Sequence, residues 1–376
     1  MGDIDPRVEE AVETFGLPAV ARRRLLTGGG LFSAGLAASA LLAACGPDQQ
    51  SNSGGEGVGD FPKTPKWKFV FVNHVTSNPF FVPTQYGAAD ACALLGCEFQ
   101  WTGSKTSIAG EMVNATNAAV SAKADGIALC VVDVNAFAKP VDNALDAGIP
   151  VVSYNADGAP GKPGTNRLAY IGQDLFTSGV RLGERIAELV ESGEVVGFIA
   201  TPGQLNIQPR IDGAKQAIEQ SGKSITFNQI ASGAELPQEL STIDAYSQGH
   251  PDLKGMFAVD AGSTEGVAKV MAKYKLKDKG VASGGFDLVP GTLEGIKNGH
   301  LDFTIDQQPY LQGFLPVLSL YLYKLSGGLV SPAETNTGLL FVTKDNVDPY
   351  LTTKTRFEGS DTKQQLVERS GAIGHG

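Results

Sequence analysis

The chain has 376 residues and a formal net charge of −10, with 30 basic and 40 acidic side chains. Outside the extreme N-terminal region it carries no Lys/Arg cluster, which argues against nucleic acid as a partner. Four cysteines without a CxxC pair or Cys/His spacing, and four scattered histidines, suggest no metal site and no cofactor.

The N-terminus reads as an export signal. Arg22, Arg23 and Arg24 form a cationic segment, and Leu31 to Ala44 is uncharged and rich in Ala, Leu and Gly. That run is about 14 residues, short of the roughly 20 that a bilayer-spanning helix needs. It ends in Leu42-Ala43-Ala44-Cys45, a lipobox, so Cys45 is the expected lipidation site and residues 1–44 the segment removed. Ala21-Arg22-Arg23-Arg24-Leu25-Leu26 resembles a twin-arginine signal, and the general secretory route also fits. The expectation is an extracytoplasmic protein held to the membrane by lipid. Gly46 to Asp60 is polar and poor in apolar residues, as a flexible tether would be.

From Lys66 onward, β-rich runs alternate with helical stretches. Strands are expected at Trp67–Asn73, Glu98–Thr102, Gly126–Val132 and Ile149–Tyr154. The helices between them are expected near Pro79–Leu95, Ser107–Lys123 and Ala136–Ala147. The pattern repeats, with strands at Val195–Thr201, Ile225–Ile230, Lys254–Val259, Val281–Gly285 and Leu301–Ile305. Here the helices are expected near Asp174–Ser192, Pro209–Ser221, Leu236–Gln248, Ser263–Tyr274, Gly291–Asn298 and Pro309–Leu325. Near-continuous apolar strands separated by helices indicate parallel sheets covered on both faces. Two such blocks imply an α/β fold of two doubly wound, Rossmann-like lobes. Cys130 sits in an apolar run and reads as core. Cys92 and Cys97 fit either a disulfide or, more plainly, two small buried thiols.

In doubly wound sheets, ligands bind beyond the carboxyl ends of the strands. The residues there are His74 with Asn78-Pro79-Phe80-Phe81, then Asn155-Ala156-Asp157. In the second block they are the loop holding Gln204 and Asn206 ahead of Arg210, then Asp260 and Asp287. Amides, carboxylates, one arginine and two aromatic rings suit a neutral polyhydroxylated molecule. The polar groups bridge neighbouring hydroxyls, and a Phe ring covers the C–H face of a sugar. Asn78 before Pro79 is also a helix N-cap signal, and the two Phe rings also suit a core.

These segments resemble the ribose/galactose-type solute-binding proteins of bacterial carbohydrate ABC importers, over about Lys66 to Tyr350. Asn78-Pro79-Phe80-Phe81 resembles the family's first-lobe sugar motif, and Arg210-Ile211-Asp212-Gly213 its second-lobe arginine motif. Gly285-Phe286-Asp287 resembles the segment whose Asp faces the sugar, and Gln307 the glutamine at the interlobe crossover. Asn155-Ala156 stands where the family often has Asp-Arg, and Ser232-Gly233-Ala234-Glu235 lacks the family's second-lobe aromatic.

The resemblance implies a type I periplasmic-binding-protein fold. It assigns 66–172 plus 308–338 to the N-terminal lobe and 173–307 plus 339–350 to the C-terminal lobe; the lipobox and composition give 45–65 as lipidated Cys and linker and 351–376 as a polar tail. Crossovers near Ile171–Asp174, Gln307–Gln308 and Asn336–Leu340 would hinge the lobes. Implied ligand-binding residues are Asn78, Phe80, Phe81, Asn155, Arg210, Asp260, Asp287 and Gln307, with His74, Asp157 and Asn206 nearby. The implied protein is a monomer without enzymatic activity. It would deliver a monosaccharide or polyol to the transmembrane subunits of an ABC permease. The alternative partner is a chemoreceptor or sensor-kinase ectodomain.

Overall fold

The computed structural model describes residues 62–158, 164–329 and 332–351. The export signal, Cys45 and the polar tail lie outside them. All elements among the described residues belong to Thr64–Gly376, a unit distinct from Met1–Lys63. No helix among the described residues is long and apolar enough to cross a membrane.

The first half starts with β1 (Lys68–Asn73), whose last five residues are all buried. A 3-10 turn, Pro79–Phe81, leads into α1 (Val82–Leu95). Then follow β2 (Glu98–Gly103), α2 (Ala109–Ser121), β3 (Gly126–Leu129) and α3 (Val134–Asp146). Gly148, at φ 75°, turns the chain out of α3 into β4 (Val151–Tyr154). After β5 (Tyr170–Gly172) the chain passes to a second sheet. There α4 (Leu175–Leu189), β6 (Ser192–Ile199), α5 (Gln208–Gln220), β7 (Ser224–Ala231), α6 (Leu236–Gly249) and β8 (Gly255–Ala258) follow in turn. After them come α7 (Ala261–Tyr274), β9 (Ala282–Phe286), α8 (Pro290–Lys297) and β10 (Phe303–Asp306). The chain returns to the first half as α9 (Leu311–Ser326) and β11 (Glu334–Asn336). It crosses back as β12 (Leu340–Val342), before α10 (Asp348–Leu351).

The two six-stranded sheets have matching orders, β2-β1-β3-β4-β5-β11 and β7-β6-β8-β9-β10-β12. Every pairing is parallel except β10 with β12. β3, β4, β8, β9 and β10 are buried along their whole length, which is why β3, β4 and β8 read as largely apolar runs rather than alternating ones. The fold is α/β and doubly wound in both halves.

Two local expectations are corrected. The helix expected to run through Ser192 ends at Leu189, because Ser192–Glu194 pair with Ser224–Thr226 and lengthen β6. The short strands β5, β11 and β12 were not expected. Each is three residues long, too short to carry a period of two. Cys92, Cys97 and Cys130 are free and buried, in keeping with the plainer thiol reading.

The chain crosses between sheets three times, at Gln173, at Gln307–Tyr310 and at Thr337–Leu339. The crossings are tied to one another. Gln312 Nε2 donates to the Gln307 carbonyl (3.2 Å) and to Thr337 Oγ1 (3.2 Å). Gln308 Nε2 donates to the Thr337 carbonyl (2.7 Å), and Gln173 Nε2 to the Gly338 carbonyl (3.0 Å).

Candidate functional site: a polar cavity between two sheets

The carboxyl ends of both sheets face one cavity, which encloses about 550 Å³ of empty space including its mouth. Its first wall carries His74, Asn78, Phe80, Phe81 and Asn155. Its second carries Asn206, Arg210, Glu239, Asp260 and Asp287, with Gln307 from a crossing.

Each side chain is held from below by its local structure. Asn78 caps the turn at Pro79, accepting from Phe80 N at 3.0 Å through Oδ1. The cap reading of this residue therefore holds, and it lines the cavity as well. Phe80 and Phe81 meet edge to face at 4.6 Å. Phe81 is also backed by His74 (5.3 Å) and Trp101 (5.9 Å). Asn155 and Asp287 adopt φ of 62° and 75°, a left-handed conformation that Asn and Asp tolerate better than most residues. Such conformations persist where surrounding contacts enforce them, commonly at ligand sites.

Arg210 is 2% exposed, and both of its terminal nitrogens are engaged. Its Nη1 donates to the Val259 carbonyl (2.8 Å), its Nη2 to Gln173 Oε1 (2.9 Å), and its guanidinium stacks 4.0 Å above the Phe286 ring. Its Nε is buried without a partner among the described residues, as is Asn206 Oδ1. Burial pushes the Asp287 carboxyl up to about 6, opposed by the Arg210 charge and by Gln307, whose Nε2 donates to Oδ1 at 2.7 Å. Asp260 accepts from Ser263 N and Ala200 N, both at 2.9 Å, at the N-terminus of α7.

A single chain of hydrogen bonds crosses the site. Asn206 Nδ2 donates to His74 Nε2 (3.1 Å), which places the histidine proton on Nδ1, facing Cys130 Sγ (3.1 Å). The thiol points at Asn155 Oδ1 (3.6 Å), and Asn155 Nδ2 donates to Gln312 Oε1 (3.0 Å). Gln312 Nε2 donates to Gln307 Oε1 (3.1 Å), and the chain ends on Asp287. Every donor points the same way, so each amide presents a defined edge to the cavity. Burial drives the His74 pKa down to about 3 and that of the Cys130 thiol upward, so both stay neutral at ordinary pH.

The lips of the cavity touch away from this chain. Ser107 Oγ donates to Gln204 Oε1 (2.5 Å), Gln204 Nε2 donates to the Ser107 carbonyl (2.9 Å), and Leu205 N donates to the Val132 carbonyl (3.0 Å).

Ten of the eleven expected residues line the cavity; the structure does not bring Asp157 to it. Asn155 turns the backbone, Ala156 is buried, and Asp157 emerges beside β5. There Arg167 binds its Oδ2 through Nε (2.8 Å) and Nη2 (2.5 Å). Sequence reasoning missed Glu239, Ser107 and Thr201 in the lining, and Cys130, Gln173 and Gln312 behind it. Glu239 carried one signal: it precedes Ile243 by one helical turn, and both lie on the buried face of α6.

A family model described as a periplasmic binding protein domain matches residues 69–327. The chain belongs to the periplasmic binding proteins. The xylose/arabinose-binding protein XylF of Sulfolobus acidocaldarius is 49% identical to it over 367 residues, covering 91% of this chain and 90% of its own length. An ABC transporter solute-binding protein of Burkholderia graminis, solved with D-arabinose, superposes with a TM-score of 0.71 at 26% identity. That match covers 77% of this chain and 99% of that one. A carbohydrate transporter protein of Acidothermus cellulolyticus, solved with myo-inositol, gives 0.68 at 27% identity, covering 77% and 98%. The fold is that of the type I periplasmic binding proteins.

Proposed function

We propose that this protein captures a small neutral sugar or sugar alcohol, a pentose foremost, between its two halves and presents it to an ABC permease. The observation that carries the reading is the pair of buried, unpartnered polar atoms, Arg210 Nε and Asn206 Oδ1, on residues that line the cavity. A buried donor or acceptor without a partner costs about 1–3 kcal/mol, which a ligand hydroxyl recovers. The two Phe rings supply an apolar face beside these polar groups. A relative named for xylose and arabinose, and neighbours solved with D-arabinose and myo-inositol, support a polyhydroxylated ligand without charge. No covalent step is required. The tether after Cys45, with Cys45 itself acylated, would keep the protein beside its permease. Hinging about the three crossings opens and closes the cavity, and ligand contacts from both halves favour the closed state.

A thermal-shift comparison of the full chain with D-xylose, arabinose, ribose, myo-inositol and galacturonate tests this. A ligand at 100 times its Kd adds about 2.7 kcal/mol to the folded state. The expected result is a rise in melting temperature with one or more neutral compounds and none with galacturonate. No shift with any neutral compound would sink the reading.

Gln204 does not line the cavity, so Gln204→Ala is expected to act through closure alone. Affinity should fall by the worth of ordinary hydrogen bonds, about 0.5–1.5 kcal/mol. The fall should be equal for every sugar that binds, since the lost contacts are made in the closed state whatever the ligand. Calorimetric titration with two sugars checks this; a changed ratio between them would place Gln204 in contact with ligand.

A further inference from the structure

Glu239 is 4% exposed and lines the cavity, yet among the described residues it forms no ion pair. Its neighbour in the wall is another carboxyl group, Asp260. Arg210, the nearby cation, is committed to Val259, Gln173 and the Phe286 ring. Two buried carboxyl groups side by side cannot both ionise cheaply. The geometry decides which one holds the charge. Asp260 receives two backbone N–H groups, from Ser263 and Ala200, at the start of the 14-residue helix α7. The Glu239 carboxyl is seated over Gly262, where an added Cβ would lie 1.9 Å from Oε2.

We propose that Glu239 is a neutral acid that donates a hydrogen bond to the Asp260 carboxylate, and that the pair forms a singly charged, hydroxyl-accepting face that selects uncharged ligands. This rests on the sugar-binding reading of the cavity. Asp260 and the carbonyl oxygen of Glu239 both accept from ligand hydroxyls. A ligand carboxylate meets a negative wall and is rejected. Glu239 is therefore a specificity-determining residue alongside Arg210 and Asp287.

Burial, reinforced by the Asp260 charge, pushes the Glu239 carboxyl up to about 9. The charged groups around it are Asp260 and Glu265 on α7, Glu235 at the N-cap of its own helix, and Asp287 and Arg210 across the cavity. The folded value lies above the unfolded one. Its contribution to stability is therefore complete below the ordinary carboxylate range and is lost as pH rises through about 9. Asp287 and Asp306, at about 6 and 7, have ionised by pH 8.

The test uses the full chain labelled with ¹³C at the glutamate carboxyl carbon, and Glu239→Gln to assign one resonance. That resonance is expected at the neutral-acid position at pH 7, moving between pH 8 and 10. Movement in the ordinary carboxylate range would overturn the proposal. In parallel, D-xylose is titrated into both proteins. Wild-type affinity should fall by about tenfold between pH 7 and pH 10, as expected one unit above a controlling ionisation. The variant, whose amide cannot ionise, should bind more weakly at pH 7 but without that fall. Identical pH profiles would overturn the selecting role. Failure of the wild type to bind D-xylose at pH 7 would count against the pentose reading, while the resonance still decides the state of the acid pair.

Discussion

Arg210→Ala should weaken sugar binding by about 1.5–3 kcal/mol, roughly 10- to 150-fold in Kd, the cost of losing charged hydrogen bonds in a desolvated site. The substitution removes the Nε donor, which is buried without a partner among the described residues, from a side chain that lines the cavity. It also strands the Val259 carbonyl and Gln173 Oε1 and leaves the Phe286 ring uncovered. Asp287 loses the positive charge that holds its carboxyl down, so its value climbs above about 6 and a larger share is protonated at neutral pH. Arg210→Lys should not rescue binding. Lysine restores the charge but not the planar fork that bonds Val259 and Gln173 while leaving Nε for ligand. Calorimetric titration with the best ligand from the thermal-shift series measures both variants. Wild-type affinity in Arg210→Ala would mean that this cavity is not the binding site.

The second large effect is expected at a residue that touches no ligand. Helices α4 and α5 pack backbone to backbone through Gly179, Gly183 and Gly213. A Cβ on Gly179 would lie 2.2 Å from the carbonyl oxygen of Arg210 and 2.6 Å from its Cα. Neither atom is the flexible end of a side chain, so the helices must part. Overpacking of this kind costs typically 1–3 kcal/mol, and a backbone collision belongs at or above the upper end. Gly179→Ala should therefore lower the melting temperature by about 5 °C or more. It should also reduce sugar affinity, because the displaced backbone is the one that carries Arg210. Gly110→Ala is the matched control. Gly110 lies in α2 with nothing within 4 Å of an added Cβ, and there alanine should be neutral or stabilising by up to about 1 kcal/mol. Equal melting temperatures for Gly179→Ala and wild type would refute the close packing of α4 on α5.

Much of this protein is written in local pattern. Strands covered on both faces are predominantly apolar, so β1, β3, β4, β8 and β9 announce themselves, and the helices between them follow from their length. Ligands of doubly wound sheets sit beyond the strand ends. That rule points to Asn78, Asn155, Asp260 and Asp287 without any knowledge of how the halves face each other. Three-residue strands carry no period, so β5, β11 and β12, which mark the crossings, were not visible.

What the sequence could not settle was the company each side chain keeps. Asp157 stands two residues after Asn155, yet the left-handed turn at Asn155 sends it to Arg167 instead of the cavity. Cys130 looked like core and is core, but it also links His74 to Asn155. Gln312 and Gln173 sit far along the chain from the residues they orient. Glu239 sits eight residues beyond its strand, in a helix, and becomes part of the wall only because α6 lies beside the start of α7. Burial and pairing depend on contacts between residues distant in the chain. The amino-acid order by itself therefore determined the layers and the strand ends. Only the tertiary structure decided which polar groups are paired, which are left for a ligand, and which carboxyl keeps its proton.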